Sequence, residues 1–339
     1  MKRLAIDMGS SITKIYMPGC GVVLMEATCV AVEEMIDNGQ KIVNIKALGD
    51  KARALSGRSA VNTHIVNPVI EGDIVNETLA ACLLEYFLNK CEITRRRAKR
   101  TEVMFILPCG CKPSLKEKYQ RIADACGICM SYFTLNPFAA VLGQNVAINE
   151  STPMFLIDIG YGITNIAALS QDGIISGINL NLGGGNIDVH LIDMLAEKYN
   201  IKIGALTAER LKNTVGSLLE DDNKMTVVDG RDVETGAPAS VAINSSQIYD
   251  IILTYIDKII DYVSIVMSKL DAEVSSGIVR GGIYLSGGLM KMDGLAEYIE
   301  KRLGVAVNIS EEPQLSAVIG AGTILTNDYL WERLATTVE

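Results

Sequence analysis

The sequence predicts an α/β protein made of two similar domains, and three observations lead to this prediction. A ten-residue pattern occurs twice, because residues 6–15 align without a gap on residues 157–166 and six of the ten positions are identical. Such a repeat, offset by nearly half the chain, indicates a duplicated domain. Strand-like apolar runs alternate with helical patterns, which is typical of α/β folds. The length of 339 residues is sufficient for two domains with separate cores.

Composition limits the functions that the chain can have. With 49 % apolar and 21 % charged residues, the chain is typical of a well-packed globular protein. A net charge of −9 argues against general nucleic-acid binding, so we expect no nucleic-acid partner. The start of the chain lacks the apolar core of a signal peptide, and no run approaches the ~18 apolar residues of a membrane span. We therefore expect a cytoplasmic protein.

The eight cysteines are most simply interpreted as reduced and buried. Four of them, Cys109, Cys111, Cys126 and Cys129, superficially resemble zinc ligands in their spacing. A helix of ~13 residues predicted between the two pairs would hold them roughly 20 Å apart. Zinc ligands must converge on one ion, so we expect no zinc site. With only two histidines in the chain, histidine-based catalysis is not expected either.

Each copy of the repeated pattern predicts a β-hairpin with a glycine turn and one carboxylate at its mouth. In the second copy, Gly160 and Gly162 permit positive φ and close approach of another group to the backbone. Asp158 precedes this turn, as Asp7 precedes the first. A single hairpin of this kind would most simply be a buried structural element. Two copies favour a shared ligand, and two turns with two carboxylates suit a polyphosphate that carries a divalent cation.

In the first half of the chain, the pattern predicts strands, a polar insertion, a helix and a strand–loop–helix unit. The expected elements are strands at 4–7, 12–17 and 22–32, a loop-rich insertion at 33–66, a helix at 77–90, a strand at 103–107 and a helix that starts at Pro113. A basic run at residues 91–100 precedes this last strand. We interpret the run as a solvated loop, and the alternative is an electrostatic contact with anionic lipid or an acidic partner.

In the second half, a glycine-rich loop at residues 180–188 is predicted to open a helix at 189–199. Free N–H groups at a helix N-terminus favour negative charge, so this loop is a candidate anion site. The other expected elements are a helix at 207–219, a polar strand around Val227, a long amphipathic helix from Ser246, a strand at 282–288 that ends in two glycines, and a helix at 295–303.

These motifs occur in the order found in the actin, Hsp70 and sugar-kinase superfamily, and the sequence resembles bacterial actin homologues of the MreB type over nearly the whole chain. Residues 7–13 and 158–164 resemble the two phosphate loops, and residues 204–212 resemble a nucleotide-contacting helix. The other segments that carry the resemblance are a strand at 22–31, a helix entry at 68–74, a connecting segment at 106–110 with its continuation at 136–143, a Gly-Gly motif at 182–188 and an adenosine motif at 286–288. Each glycine motif is common alone, but the ordered set is specific.

The resemblance implies an actin-like ATPase fold, in which two duplicated ribonuclease H-like domains form four subdomains around a nucleotide cleft. The subdomain bounds that it implies are 1–32, 67–145 and 313–339 for subdomain IA, 33–66 for IB, 146–181 and 246–312 for IIA, and 182–245 for IIB.

By the same resemblance, the chain would bind ATP or ADP with Mg²⁺. Asp7 and Asp158 would hold the metal, partly through water, and together with Asn136 they would form the catalytic set. Glu209 would hold the ribose, and Lys212 would lie beside the base. The remaining nucleotide-binding residues that the resemblance implies are Gly9, Ser10, Ser11, Thr13, Gly160, Tyr161, Gly162, Thr164, Gly183, Gly184, Gly185, Asp188, Gly287, Gly288 and Leu289.

The resemblance also implies a function, that of a cytoplasmic protein whose protomers form double filaments and organise cell-wall synthesis and cell shape. The first partner would then be the chain itself, and the membrane surface or membrane-bound shape proteins are further candidates. Two alternatives stay open, a non-polymerising ATP-dependent switch or chaperone on the same fold and a small-molecule kinase. A kinase would need a general base beside the γ-phosphate, and the nearest position holds Asn136, which argues against it.

The sequence departs from the family pattern at four positions. Tyr161 replaces a glycine in the second phosphate turn, Asn165 replaces an acidic residue, and Leu289 stands where a third glycine is usual. Asn136 stands where the family carries a glutamate that orients or activates the attacking water. An amide cannot accept a proton as a carboxylate does, and Asn is one methylene shorter, so we expect ATP binding with slow hydrolysis.

We predict that Asn136→Glu raises the rate of ATP hydrolysis, because a carboxylate can accept a proton and reaches one methylene further. A well-placed general base contributes on the order of 100-fold or more, and we expect an increase of at least about tenfold. Phosphate release at saturating Mg-ATP measures the effect, with Asn136→Gln as the matched control that adds the methylene alone. Equal rates for the wild type and the Glu variant would contradict the prediction.

Overall fold

The structure of the chain, a computed structural model, describes residues 2–37, 40–57, 62–146, 152–170 and 173–338. Contacts between Cα atoms divide the chain into two units. Unit 1 comprises Met1–Ile148 and Leu315–Glu339, and unit 2 comprises Asn149–Gln314. The finer division into four subdomains stays a prediction.

Strands and helices occur in both units and are numbered here in chain order. The strands are β1 (Lys2–Met8), β2 (Ile12–Met17), β3 (Gly21–Ala27), β4 (Val30–Asp37), β5 (Gln40–Leu48), β6 (Thr63–Val66), β7 (Val69–Ile70), β8 (Asp73–Ile74), β9 (Thr101–Leu107), β10 (Met130–Leu135), β11 (Met154–Ile159), β12 (Thr164–Ser170), β13 (Gly173–Leu180), β14 (Ile201–Lys202), β15 (Met225–Asp232), β16 (Pro238–Asn244), β17 (Ile283–Ser286) and β18 (Val307–Ile309). The helices are α1 (Asp50–Ala54), α2 (Glu77–Lys90), α3 (Arg95–Ala98), α4 (Pro113–Ala125), α5 (Asn136–Leu142), α6 (Gly184–Tyr199), α7 (Ala205–Val215), α8 (Ser245–Met267), α9 (Ala272–Gly281), α10 (Leu295–Leu303), α11 (Ser316–Thr326) and α12 (Asp328–Leu334).

Unit 1 is built on a five-stranded sheet with the strand order β10-β9-β1-β2-β3. The strands β1, β2 and β3 are antiparallel neighbours, whereas β9 and β10 run parallel to β1. Alternate positions of these strands and one face of each of α2 and α4 are apolar, and they form a common core. In this core the ring of Phe105 packs against the rings of Tyr119 and Phe133.

Unit 2 repeats this sheet strand for strand. Its order is β13-β12-β11-β17-β18, and again three antiparallel strands are followed on the other side of the first strand by two parallel ones. The long helix α8 buries an apolar stripe that includes Ile252, Ile256 and Val263 in the core of this unit. The duplicated α/β architecture predicted from the sequence repeat is therefore confirmed.

A small antiparallel sheet is inserted into each unit, with the order β5-β4-β6 in unit 1 and β14-β15-β16 in unit 2. The prediction of a loop-rich insertion at residues 33–66 is wrong, because β4 pairs with both β5 and β6. The strands of this sheet in unit 1 carry many polar residues, and opposite charges can pair across them. Lys46 Nζ lies 2.7 Å from Glu33 Oε2. Backbone hydrogen bonds can form such a sheet even where apolar and polar residues do not alternate strictly along its strands.

The single strand predicted at residues 22–32 is wrong, because two strands that belong to different sheets occupy it. The strand β3 ends at Ala27 and β4 begins at Val30. Between them the N–H of Thr28 donates to the carbonyl oxygen of Ser11 at 2.9 Å. This bond continues the pairing of β3 with β2 by one residue, and the chain then enters the second sheet at Val30, which an apolar run in the sequence does not reveal.

Several helix bounds follow the sequence closely, and others are moved by tertiary contacts. The helices α2 and α10 have the predicted bounds, and α8 begins one residue earlier than expected. The helix predicted at 207–219 ends at Val215, where a Cβ on Gly216 would lie only 2.2 Å from the carbonyl oxygen of Lys212. The basic run at 91–100 contains the short helix α3 and is not a plain loop. No helix in the described ranges is both long and apolar enough to cross a membrane.

Helices α5 and α11 of unit 1 touch at their backbones because glycines remove the side chains between them. A Cβ on Gly320 would lie 1.8 Å from the carbonyl oxygen of Ala139, and a Cβ on Gly143 would lie 1.8 Å from the carbonyl oxygen of Ser316. No non-bonded atoms approach so closely, so any larger residue must push the helices apart. Since α5 begins at Asn136, this contact fixes the place of that residue.

We predict that Gly320→Ala destabilises the protein, because the added methyl group must separate α5 from α11. The free energy of unfolding should fall by about 3 kcal/mol, the upper end of the usual cost of overpacking. Urea denaturation followed by circular dichroism measures this value. The control is Gly281→Ala, where the added Cβ would have its nearest neighbour 3.8 Å away and little change is expected. A Gly320 variant as stable as the wild type would disprove the proposed constraint.

Candidate functional site

The candidate residues of unit 1 lie where parallel strands end. The strands β1, β9 and β10 run in the same direction, so their carboxyl ends meet at one edge of the sheet. Asp7 is the last residue but one of β1, and Asn136 directly follows β10. Ligands of open α/β sheets bind at the carboxyl ends of the strands, so this edge is a suitable place for a site.

The carboxylate of Asp7 is paired with a cation that the sequence analysis missed. Asp7 lies directly opposite Lys14 in the β1–β2 hairpin, and Lys14 Nζ is 2.7 Å from Asp7 Oδ2. The two side chains are only 19 % and 15 % exposed, so water weakens their attraction less than at a surface. The hairpin register was the available signal, because side chains opposite each other point to the same face.

The turn between β1 and β2 contains Ser10 and Ser11 and is tight at Gly9. A Cβ on Gly9 would lie 2.9 Å from the carbonyl oxygen three residues further on. The hydroxyl of Thr13 lies 2.8 Å from that of Thr28, and either oxygen can donate. These contacts hold the predicted first phosphate turn against the chain that leaves the sheet.

Asn136 presents a buried polar atom that lacks a protein partner. Its side-chain oxygen is inaccessible to solvent and accepts no hydrogen bond from any residue that the structure describes. Leaving a buried polar group unsatisfied costs about 1–3 kcal/mol. Because this oxygen is closed to solvent, a water molecule could reach it only if the neighbouring groups moved.

The hairpin of unit 2 has the same register as that of unit 1. Asp158 lies opposite Asn165, just as Asp7 lies opposite its cross-strand partner in the first hairpin. The hydroxyl of Ser286 at the end of the parallel strand β17 donates to Asp158 Oδ1, and Asn165 Nδ2 donates to Asp158 Oδ2 at 3.3 Å. Both of these donors are neutral, whereas an ammonium group pairs with the carboxylate in unit 1.

The turn after β11 rests on the first turn of α6. The N–H of Gly184 donates to the carbonyl oxygen of Gly160 at 3.0 Å, and the N–H of Gly185 donates to that of Tyr161 at 2.8 Å. The N–H of Gly183 donates to the side-chain oxygen of Asn186 at 2.8 Å. All three glycine amides are thus used within the protein, which argues against the candidate anion site at this glycine loop.

The predicted start of this helix is wrong, because α6 begins at Gly184, five residues before the expected position. Glycine is a poor helix former, but the bonds to the turn compensate for its low propensity. A Cβ on Gly183 would lie 2.6 Å from the carbonyl oxygen of Tyr161 and 2.7 Å from that of Gly160. The glycines therefore serve close packing between the turn and the helix. Thr164 adds to this contact, because its hydroxyl donates to the carbonyl oxygen of Leu182 at 2.6 Å.

Lys212 of α7 is buried beside the same helix turn. Its Nζ lies 2.7 Å from Asp188 Oδ1 and donates to the carbonyl oxygen of Gly184 at 2.8 Å. The side chains of Lys212 and Asp188 are 4 % and 2 % exposed. Glu209, three residues before Lys212, is half-buried on the same helix.

The glycine motif after β17 also serves a close contact. Gly287 has φ +97°, which favours glycine, and a Cβ there would lie 2.2 Å from the carbonyl oxygen of Ile159. Its N–H donates to the carbonyl oxygen of Pro313 at 3.0 Å. Gly288 has open space at its Cβ position, and Leu289 is buried next to Gly184.

Most of the predicted residues of unit 2 thus gather around the turn after β11. The structure brings together Asp158, Gly160, Tyr161, Thr164, Gly183, Gly184, Gly185, Asp188, Lys212, Gly287 and Leu289. Gly162 lies within this turn, and Gly288 begins the turn after β17. The predicted set in unit 1 comprises Asp7, Gly9, Ser10, Ser11, Thr13 and Asn136, to which the structure adds Lys14.

Of the four cysteines in the two pairs, Cys109 and Cys126 are buried, Cys111 is partly exposed and Cys129 is exposed, so the expectation of buried cysteines holds only for part of this set. Burial raises the pKa of the Cys109 thiol to about 11 and that of Cys126 to about 12. Such thiols stay protonated at neutral pH and are poor metal ligands. Within the described ranges, no three His, Cys, Asp or Glu side chains are grouped so that they could hold a metal ion.

Comparison with protein families identifies a match over nearly the whole chain. The family model described as MreB/Mbl protein matches residues 1–332. The cell shape-determining protein MreB of Escherichia coli K12 is 26 % identical over 323 residues, which are 95 % of this chain and 92 % of the relative. The cell shape-determining protein Mbl of Bacillus subtilis is 26 % identical over 327 residues, 96 % of each chain.

Solved structures share the fold. MreB5 of Spiroplasma citri bound to AMPPNP superimposes with a TM-score of 0.89 at 24 % identity and covers 98 % of both chains. The protomer of the MamK double helical filament superimposes with a TM-score of 0.75 at 17 % identity and covers 96 % of this chain and 99 % of its own. The actin-like fold that the sequence resemblance implied is thereby confirmed.

We predict that Gly183→Ala loosens the turn after β11, because its Cβ would collide with two backbone carbonyl groups. Hydrogen exchange measured by mass spectrometry should show faster exchange at the amides of Gly184 and Gly185. Gly288→Ala is the matched control, since nothing lies within 4 Å of the added Cβ. Unchanged protection in the Gly183 variant would show that the glycine is not required for this contact.

Proposed function

The chain belongs to the MreB/Mbl family, and on that premise we propose that it is an ATP-binding, actin-like cytoskeletal protein that forms filaments and takes part in cell-shape determination and the organisation of cell-wall synthesis. The observation that carries the proposal is that the two hairpins pair their strands in the same register. Each hairpin places an aspartate and a tight glycine turn at the carboxyl edge of its sheet.

Nucleotide binding is proposed for both hairpins. The related MreB5 structures contain AMPPNP or ADP. We assign the phosphate contacts to the backbone of the two turns, at Ser10 and Ser11 in unit 1 and at Gly162 in unit 2. The glycines of residues 183–185 seat the second turn, and Glu209 is the proposed ribose ligand.

Mg²⁺ is proposed to accompany the nucleotide. Carboxylate oxygens, water and phosphate oxygens are the ligands that Mg²⁺ prefers, so Asp158 and Asp7 are chemically suitable. Lys14 already compensates the charge of Asp7. Asp7 would therefore act on the metal through water, and the buried carboxylate of Asp158 is the proposed direct ligand. Lys14 is suited to a nearby phosphate oxygen.

Slow hydrolysis is proposed from the chemistry of Asn136. Its side-chain oxygen is closed to solvent and has no hydrogen-bond partner among the described residues, and the side chain is one methylene shorter than Glu, so it is poorly suited to position a water. The amide also cannot take the proton that an attacking water loses. Both properties support a protein that binds ATP and turns it over slowly.

Self-association is the proposed primary interaction. The MamK relative forms a double helical filament, and we propose a double protofilament for this chain in the cytoplasm. Membrane contact is a further proposal. The short helix α3 carries Arg95, Arg96 and Arg97 on the surface, where each basic residue could contribute about 1 kcal/mol to binding of anionic lipid.

Two alternatives keep the same fold. A non-polymerising ATP switch or chaperone would use the same hairpins but would form no filaments. A small-molecule kinase would require a base to activate its substrate, and the amide of Asn136 does not supply one. Filament formation separates the proposed function from both.

We predict that the purified protein forms filaments or sheets with Mg-ATP, and negative-stain electron microscopy with pelleting measures this. Asp158→Asn should weaken Mg-ATP binding about tenfold or more, because it removes the carboxylate charge while keeping the side-chain shape. The same variant should raise the protein concentration needed for assembly. The control is Lys224→Met, which removes an exposed ion pair with Asp293. Its Mg-ATP affinity should match that of the wild type.

An ATP-binding protein that stays monomeric over a range of salt and protein concentrations would support the switch alternative. An absence of ATP binding by the wild type would overturn the proposal as a whole.

A further inference from the structure

Ser286 contacts the carboxylate that the proposed function assigns to the metal. The strands β11 and β17 are parallel neighbours, and their register sets Asp158 directly beside Ser286. Ser286 is fully buried, and its hydroxyl donates to Asp158 Oδ1. From the strand on the other side of β11, Asn165 Nδ2 donates to Asp158 Oδ2 at 3.3 Å. The carboxylate of Asp158 is therefore held from both neighbouring strands.

The backbone around Ser286 leaves its hydroxyl little freedom to move. The next residue, Gly287, has φ +97° and lies so close to β11 that its Cβ would be 2.2 Å from the carbonyl oxygen of Ile159. The N–H of Gly287 donates to the carbonyl oxygen of Pro313 at 3.0 Å. Strand pairing fixes Ser286 itself, and these two contacts fix the residue that follows it. The hydroxyl is therefore a donor in a fixed position.

A fixed donor matters for a metal-binding carboxylate, because the carboxylate group of Asp rotates easily about its last side-chain bond. Mg²⁺ requires near-octahedral geometry, so a carboxylate that turns freely binds it less well. A neutral hydroxyl restrains this rotation without adding a positive charge that would repel the metal. Removal of such a donor from a metal ligand typically lowers metal affinity by roughly 10- to 100-fold.

The first hairpin holds its carboxylate differently. Asp7 is paired with Lys14 at the cross-strand position. The parallel neighbour of β1 is β9, and its residues 103–107 are all apolar. No side chain there corresponds to the hydroxyl of Ser286. The sequence repeat at 157–166 therefore gives no sign of this contact.

We propose that Ser286 is a positioning residue, which holds the carboxylate of Asp158 in the orientation that binds Mg²⁺ together with the nucleotide. The inference rests on the proposed nucleotide-binding function and adds a residue to it. By the family resemblance, residues 286–288 form the adenosine motif. The same short segment would then serve the metal end of the ligand as well as the base end.

The test uses Ser286→Ala, which removes the hydroxyl, and Ser286→Cys, which has nearly the same volume but only a weak donor. Circular dichroism and thermal unfolding establish that the variants are folded. Displacement of a fluorescent ATP analogue measures ATP affinity, once with excess Mg²⁺ and once in EDTA. Both variants should lose about tenfold in affinity with Mg²⁺, whereas their affinity in EDTA should match that of the wild type. An equal loss in both conditions, or no loss, would overturn the inference.

A double-variant cycle tests whether Ser286 acts through Asp158. Asp158→Asn removes the charge that attracts the metal, so Ser286→Ala should cause no further loss of Mg-ATP affinity in that background. Losses that multiply in the double variant would show that the hydroxyl acts independently of Asp158, and the inference would be wrong.

Two control variants separate positioning from general instability. Ser131→Ala removes a buried hydroxyl of β10 that has no hydrogen-bond partner among the described residues. Val263→Ala removes two methyl groups from a fully buried residue of α8 and should lower the melting temperature. Both should keep wild-type affinity for ATP with and without Mg²⁺. If Val263→Ala lost as much affinity with Mg²⁺ alone as Ser286→Ala does, instability would explain the effect and the inference would fail.

The outcomes distinguish this inference from the proposed function. A wild type that binds Mg-ATP, with Ser286 variants that bind it equally well, would overturn the inference alone. A wild type that binds ATP in neither condition would overturn the proposed function, and the inference that rests on it would fall as well.

Discussion

The second hairpin turn lies so close to the first turn of α6 that only glycine fits at position 183. At Gly183 a Cβ would come within 2.7 Å of two carbonyl oxygens, so the hydrogen bonds from Gly184 and Gly185 to the turn could not form with a larger residue. This glycine motif therefore permits close approach of the turn to the helix, and the amides of Gly183, Gly184 and Gly185 are hydrogen-bonded within the protein. Two further contacts adjoin this one. Gly287 allows the end of β17 to lie against the end of β11, and Lys212 donates a hydrogen bond to the first turn of α6.

The duplicated hairpins share a register but differ in electrostatics. Asp7 faces an ammonium group, whereas Asp158 faces an amide and accepts a hydrogen bond from Ser286. Lys14 therefore compensates the charge of Asp7, and this ion pair is a difference between the two hairpins. The duplicated hairpins thus have the same backbone pairing, and a different residue opposite each aspartate could give the two carboxylates different roles.

The structure shows what surrounds three of the residues that depart from the pattern expected by resemblance. Tyr161 and Leu289 are far apart in sequence, yet both lie against the glycines that begin α6, next to the ammonium group of Lys212. Asn136 is held by the backbone contact between α5 and α11, and its side-chain oxygen has no partner among the described residues. An amide at position 136, which cannot accept a proton as a carboxylate does, is consistent with slow hydrolysis of a bound nucleotide.

The sequence alone determined the duplicated α/β architecture, the two hairpins and the bounds of α2 and α10. These features depend on local periodicity, on capping residues such as Asn76 and on the repeated Asp-x-Gly pattern. Only the tertiary structure decided that the apolar run at 22–32 divides between two sheets, that a polar insertion forms strands and that α6 begins on glycines. In each case hydrogen bonds from distant residues outweighed local propensity. The burial of Lys212 beside Asp188 followed from the same cause, whereas the pairing of Lys14 with Asp7 could have been inferred from the register of the predicted first hairpin.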